Sequence, residues 1–313
     1  MGDSGRGLRK LGSLGTLLFL AEGGESPILA DGATGTELQR SGVEPGGCLE
    51  ALNVERPDVV LALHRSYLDA GSDLVTTNSF GGTRLRLRLH DMEGRAAEFN
   101  RAAARLAREA AGDDAFVLGD VGPTGSILAP LGDVTPDEAY DAFREQIDAL
   151  LEGGADGILI ETLTALDEME AAVRAARDAG APLVLASFAF DRVKTGIPRT
   201  MMGLAPAEAA RAAAEAGADL VGCNCGTSLT GDEYVSVVAA MREATGLPLL
   251  AQPNAGLPEL TRDGVVYHET PASMAATIHR LVEAGALVVG GCCGSTPEHI
   301  TAFRRILDRP RND

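Results

Sequence analysis

The sequence predicts an α/β fold, a single-domain (β/α)8 TIM barrel, from three observations. Eight short apolar runs recur along the 313 residues, continuous rather than alternating, as strands buried on both faces of a parallel sheet require. Amphipathic helical stretches fill the gaps between them. The link from helix to strand also repeats, as an Ala-Gly or Gly-Gly turn followed directly by the apolar run. Eight strand–helix units in this length close into a barrel. A doubly wound open sheet is the competing architecture, but no GxGxxG follows an early strand.

In chain order the predicted strands are 27–30, 73–77, 116–119, 157–160, 182–187, 219–223, 248–252 and 286–290. Between them, Phe143, Ile147, Leu150 and Leu151 keep the i, i+4, i+7, i+8 spacing of an inward helical stripe. Thr135 to Glu138, Thr230 to Glu233 and Ser295 to Glu298 read as capping boxes. Gly71, Gly180, Gly217 and Gly285 stand where helix C-caps belong. His64 and His279 fall on helical stretches and read as packing or surface residues.

Residues 27–313 form the barrel in this reading, and residues 1–26 form an extension with one short helix. Arg6, Arg9 and Lys10 precede an apolar run over 14–21, loosely like a secretory signal, but Gly15 interrupts it and it is too short for a bilayer. Two connections after strands are long, 191–203 and 254–271. They are the candidate substrate loops, because a barrel builds its active site at that face.

Composition removes several function classes. Lys and Arg number 27 against 45 Asp and Glu, and the resulting charge of −18 repels nucleic acid and anionic membrane. Five cysteines, two of them adjacent, do not suit a disulfide framework, so a reduced cytoplasmic setting is expected.

The polar and thiol residues that end the apolar runs carry the chemistry: Asp31, Thr77 with Asn78, Asp120, Glu161, Cys225, Cys292 and Cys293. In a barrel these ends converge on one mouth. Three cysteines with one open position suit a catalytic zinc, although free cysteines are also common as small buried residues. Neighbours on a strand face opposite ways, so Cys292 and Cys293 ligate together only where the chain leaves strand geometry. Gly290, Gly291 and Gly294 permit that departure, and Ser295 caps the helix beyond. Cys223 reads as barrel filler, and Cys48 as incidental.

Asp31-Gly32-Ala33-Thr34-Gly35-Thr36, Gly222-Cys223-Asn224-Cys225 and Gly290-Gly291-Cys292-Cys293-Gly294 resemble the three signatures of the homocysteine S-methyltransferase family. Gly119-Asp120-Val121-Gly122-Pro123-Thr124-Gly125 and Gln252-Pro253-Asn254-Ala255-Gly256 resemble further blocks, so the likeness covers about residues 14–308. Arg199-Thr200-Met201-Met202-Gly203 and the 253–267 loop are most similar to the homocysteine-binding module of cobalamin-dependent methionine synthase. Here the module is expected to stand without folate-binding, cobalamin-binding or activation domains.

The resemblance implies one zinc on Cys225, Cys292 and Cys293, and methylation of the homocysteine thiol to methionine. It puts the substrate ammonium on Glu161, helped by Asp31. The substrate carboxylate falls to the backbone of the turn that starts at Gly32 and Ala33, with Thr77 and Asn78 as side-chain partners. Asp120 and Asn254 are weaker candidates, Asn254 as a stand-in at the open zinc position. The expected donor is methylcobalamin on a separate corrinoid protein, ahead of S-methylmethionine. Betaine ranks last: the chain has no Trp, and of Tyr67, Tyr140, Tyr234 and Tyr267 only the last falls in a mouth loop. A non-catalytic zinc or thiol sensor is the alternative from another class, and it needs neither Glu161 nor the Asp31 turn. A different thiol or selenol acceptor also stays open.

Overall fold

The computed structural model describes residues 27–308 apart from 41, 43–45, 195 and 262–263. The expected N-terminal helix lies outside the described residues. All eight predicted runs are strands: β1 (Ile28–Leu29), β2 (Leu74–Thr76), β3 (Phe116–Val121), β4 (Gly157–Leu163), β5 (Val184–Phe188), β6 (Leu220–Asn224), β7 (Leu249–Gln252) and β10 (Ala286–Val289). They pair in parallel in the order β1-β10-β7-β6-β5-β4-β3-β2. At the β1–β2 seam, Asp73 N–H donates to Leu29 O at 2.7 Å and Leu29 N–H to the Asp73 carboxylate at 2.8 Å. Thr76 N–H reaches the Asp31 carboxylate at 2.8 Å, so two aspartates close the barrel.

Period-2 alternation divides each strand between two apolar layers. Phe116, Leu118, Leu159, Leu185, Leu220 and Leu250 cluster with other strand residues in the barrel interior. Val117, Ile158, Ile160, Val184, Val221 and Ala251 instead join Phe143, Met169 and Ile278 of the surrounding helices. Cys223 belongs to this helix-facing cluster, not to the interior filling expected of it. The reason is register: Leu220 points inward, so residue 223 points out.

Among the described residues, helices fill every gap, and the four expected cap glycines have φ from +76° to +111°. The Thr135–Glu138 capping box forms in full. The cap near 295 sits one residue later than the sequence suggested. Thr296 precedes Pro297, the first residue of the last helix, and its N–H meets His299 Nδ1 at 3.2 Å. Ser295 is committed elsewhere, as shown below. The 254–271 connection is not irregular: β8 (Pro258–Thr261) and β9 (Gly264–Tyr267) pair as an antiparallel hairpin over the mouth side. His64 is buried, whereas His279 is exposed beside Glu283. No helix among the described residues is long and apolar enough to cross a membrane.

Candidate metal and substrate site

The last inward position of several strands breaks the apolar rule. Two residues beyond the inward leucines 118, 159, 185 and 250 stand Asp120, Glu161, Ser187 and Gln252, and four beyond Leu220 stands Asn224. These side chains form a polar layer on top of the apolar filling.

The thiols stand above it. The Sγ atoms of Cys225, Cys292 and Cys293 all lie within 4.8 Å of one another, with Cys225–Cys293 and Cys292–Cys293 each at 4.0 Å. Cys225 follows β6 with φ +52°, a left-handed conformation that turns it out of strand geometry. Cys292 and Cys293 lie beyond the end of β10, where Gly294 has φ +80°. Hydrogen bonds from Cys225 and Cys292 hold Cys293 far down, to about 3, while Cys292 is pushed up by those it makes to Cys225 and Cys293.

The Asp31 turn is stapled to this loop. Gly291 N–H donates to Asp31 O at 2.9 Å, Ala33 N–H to Ser295 Oγ at 3.1 Å, and Gly294 N–H to Thr36 Oγ1 at 3.2 Å. Ser295 Oγ in turn donates to Cys292 O at 2.7 Å. A Cβ on Gly291 would lie 2.3 Å from that Oγ, so the second glycine of the motif leaves room for the staple. Gly32 and Ala33 thus lie against the thiol loop, although 262 positions separate Ala33 from Ser295.

Three carboxyls share the mouth. Glu161 Oε2 accepts from Asn224 Nδ2 at 3.0 Å, and Asn224 also reaches toward Cys292 Sγ at 4.0 Å. Burial, then the charges of Cys293 and Asp31, pushes Glu161 up to about 8. Burial lifts Asp31 to about 7, against the hydrogen bonds from Thr76. Asp120 is raised well above the carboxylate range by burial and then by Glu161, Asp31 and Glu50. Its Oδ1 is buried without a partner. Among the described residues none of the three forms an ion pair, and burial is the largest cause of each one's raised pKa.

The other candidates divide. Thr77 Oγ1 accepts the Asp120 N–H at 2.9 Å and meets Ser79 Oγ at 2.5 Å. Asn78 Nδ2 donates to Leu49 O at 2.7 Å and Asn53 Oδ1 at 3.1 Å, so its amide anchors the preceding loop. Asn254 Nδ2 donates to Gly226 O at 2.6 Å and lies 4.0 Å from Cys225 Sγ, while its Oδ1 is buried without a partner. Cys48 is half-buried beside Glu50 and outside the cluster.

Sequence reasoning passed over Asn224 and Ser187. Asn224 Oδ1 accepts from Ser187 Oγ at 2.7 Å and from Thr162 N–H at 3.0 Å, which fixes the amide that holds Glu161. The signal was present, since both interrupt apolar strands as Glu161 does.

Comparison with known proteins agrees with this geometry. Residues 28–307 match the family model described as homocysteine S-methyltransferase. The methionine synthases of Mycobacterium leprae and Mycobacterium tuberculosis are each 35% identical over 289 residues, 87% of this chain and 24% of theirs. The chain therefore spans about a quarter of the length of these curated relatives. The crystal structure of the Escherichia coli homocysteine methyltransferase MmuM, in its metallated form, matches with TM-score 0.73 and 25% identity over 90% of this chain and 96% of that one. A carboxyl transferase domain of Rhizobium etli pyruvate carboxylase, at 17% identity and TM-score 0.53, shares the fold alone. With the family model matched across the whole barrel and a three-cysteine cluster at its mouth, the chain belongs to the homocysteine S-methyltransferase family.

Proposed function

We propose that this protein methylates the thiol of homocysteine to give methionine, with one zinc held by Cys225, Cys292 and Cys293. The observation that carries this reading is the juxtaposition of three thiols with unpaired carboxyls at one barrel mouth. The donor set fits zinc: sulfurs bound tetrahedrally at 2.3 Å are about 3.8 Å apart, close to the 4.0 Å separations here. When bound, zinc supplies the acidity that turns a coordinated thiol into a thiolate at neutral pH.

The chain's own residues do the rest. Glu161, oriented by Asn224, accepts the substrate ammonium, and Asp120 with its partnerless Oδ1 is the second acceptor. Asp31 stands behind them, bonded to Thr76, and adds negative field rather than a direct contact. The turn starting at Gly32 receives the carboxylate, Ala33 being already tied to Ser295. Thr77 holds the Asp120 backbone, and Asn254 keeps the Cys225 loop in place. The protein works in the cytoplasm, where the cysteines stay reduced.

The donor we assign is methylcobalamin carried by a separate corrinoid protein. Its support is the rim: Phe80, Ile127, Leu131, Met201, Met202, Leu257, Leu260, Val265 and Val266 are exposed on connections that leave the mouth ends of strands. Exposed apolar side chains on those connections suit a docked macromolecule. A small sulfonium such as S-methylmethionine is the second reading, favoured by the match to nearly the full length of MmuM. Betaine lacks its aromatic cage: Tyr67 and Tyr234 are buried and Tyr140 bonds Asp178 on a helix, leaving Tyr267 and Phe80 at the mouth. The test is methionine formation from homocysteine with methylcobalamin, corrinoid protein, S-methylmethionine and betaine in turn. Turnover with S-methylmethionine alone would replace the donor, and none with any donor would sink the reading.

A further inference from the structure

Strand β4 carries one residue more than its neighbour. It pairs with β5 as Ile158 with Val184, Leu159 with Leu185 and Ile160 with Ala186, and the next pair is Leu163 with Phe188. Three steps along β4 therefore answer two along β5, and Glu161 and Thr162 fall in the bulge. Strict alternation from the inward Leu159 would turn residues 161 and 163 to the barrel axis and residue 162 to the helices. With the extra residue, Leu163 instead joins Ile158 and Ile160 in the helix-facing layer, as its partner Phe188 does. A bulge of this kind re-aims side chains, and here it lets Glu161 and Thr162 share the mouth.

The backbone is strained at the same point. Thr162 has φ +62°, a left-handed conformation that a β-branched residue rarely adopts. Among the described residues only Asp91, Thr162 and Cys225 do so without being glycine, and the last two both stand at the mouth. Asn224 holds the strained residue in place. Thr162 N–H donates to Asn224 Oδ1 at 3.0 Å, and Asn224 Nδ2 donates to Thr162 Oγ1 at 2.8 Å. The same Nδ2 donates to Glu161 Oε2 at 3.0 Å, so one amide grips both residues of the bulge. Strain persists only where the surroundings over-determine it, and it gathers where geometry is part of the function.

We propose that Thr162 is a positioning residue, whose left-handed bulge and hydroxyl aim the Glu161 carboxyl at the amino group of homocysteine. The inference rests on the reading above that Glu161 receives that group. Without Oγ1, the Asn224 amide loses one of the bonds that fix its rotation, and with it the fixed direction of its bond to Glu161. Glycine at 162 adopts the left-handed region without strain but is not confined to it. The bulge then becomes one conformation among several, and Glu161 is aimed only part of the time.

The test is calorimetric titration of the zinc-loaded chain with homocysteine and with 4-sulfanylbutanoate, which has the same thiol and carboxylate and no amino group. Thr162→Gly should bind homocysteine about 5-fold more weakly, the scale of one hydrogen bond. It should bind 4-sulfanylbutanoate as the parent does. In turnover the loss should appear in KM, with kcat and zinc content unchanged. Thr162→Ser, which keeps the hydroxyl, should match the parent with both ligands. Parental homocysteine affinity in Thr162→Gly, or an equal loss with both ligands, overturns the assignment of Thr162. Parental homocysteine affinity in Glu161→Gln overturns the ammonium reading, and this inference with it.

Discussion

Carboxylates stand at both ends of the barrel, and they do opposite things. At the base, Asp73, Asp156 and Asp219 each sit one residue before an even-numbered strand, β2, β4 and β6. Each accepts the N–H of a neighbouring strand, Leu29, Val117 or Val184, at 2.8 Å. Each also meets an arginine of a helix, Arg304, Arg108 or Arg177. At the mouth, Asp31, Asp120 and Glu161 form no ion pair among the described residues, and burial raises all three. The difference lies in where the counter-ion comes from. At the base the chain carries its own cation, so the carboxylate is structural. At the mouth none of the described residues supplies one, burial favours the uncharged carboxyls, and groups perturbed in this way mark a candidate site.

The comparison breaks most visibly at the thiols. Replacing Cys225, Cys292 or Cys293 with Ser should abolish methyl transfer and drop zinc below one per chain, while metal-free parent and variant melt together. Metal analysis and calorimetry check this; full zinc occupancy in the Cys292→Ser, Cys293→Ser double variant would refute the ligand assignment. The base should respond in the reverse sense. Asp73 and Arg304 side chains are only 10% and 13% exposed, and breaking such a pair costs about 3 kcal/mol. Arg304→Met should lower the urea midpoint accordingly yet leave zinc stoichiometry and homocysteine affinity unchanged.

The same two ends explain what was legible in the sequence. All eight strands were readable because burial on both faces forces continuous apolar runs. Asp31, Asp120, Glu161 and the cysteines were readable because they terminate those runs. Orientation was not. Cys223 turned out to face the helices, and Asn78 to anchor the 49–53 loop, since both depend on register and on partners distant in sequence. Ser295 had the composition of a cap, but Ala33 and Cys292 claim its hydroxyl. The β8–β9 hairpin hid inside a connection read as a loop, although Pro258, Leu260, Val265 and Tyr267 alternate as a strand pair should.

Glu161→Gln sharpens the contrast from the mouth. Losing the charged acceptor should weaken homocysteine binding by roughly 1.5–3 kcal/mol, the scale of a hydrogen bond to a charged group. Calorimetric titration reads it, and zinc content should hold; an unchanged affinity would place the ammonium elsewhere. The pH dependence follows from the same groups. A carboxyl raised in the folded state binds protons there that the unfolded chain has already lost, so stability falls as pH rises toward the folded value. His64, depressed to about 4 by burial, acts in the opposite sense, but only below its ordinary 6.5. Between pH 6.5 and 8 Glu161 therefore makes a falling contribution to the stability of the metal-free protein, while Cys293, held far down, makes a rising one. Glu161→Gln should remove the falling contribution and so make stability rise more steeply with pH, and Arg304→Met should not.

The smallest expected effect falls on β6, where two cysteines two residues apart part company. Strand alternation sends Cys223 to the helix layer, where it is buried and burial lifts its thiol to about 12. Cys225 lies just past the strand end, and its left-handed φ of +52° turns its sulfur to the mouth. Cys223 therefore contributes packing only. Cys223→Ala removes one buried sulfur from the helix-facing apolar layer, at a cost of about 1 kcal/mol. Zinc stoichiometry, homocysteine affinity and turnover should stay at parental values. Should Cys223→Ala release zinc as Cys225→Ala does, the alternation that separates wall from mouth would be wrong at this strand.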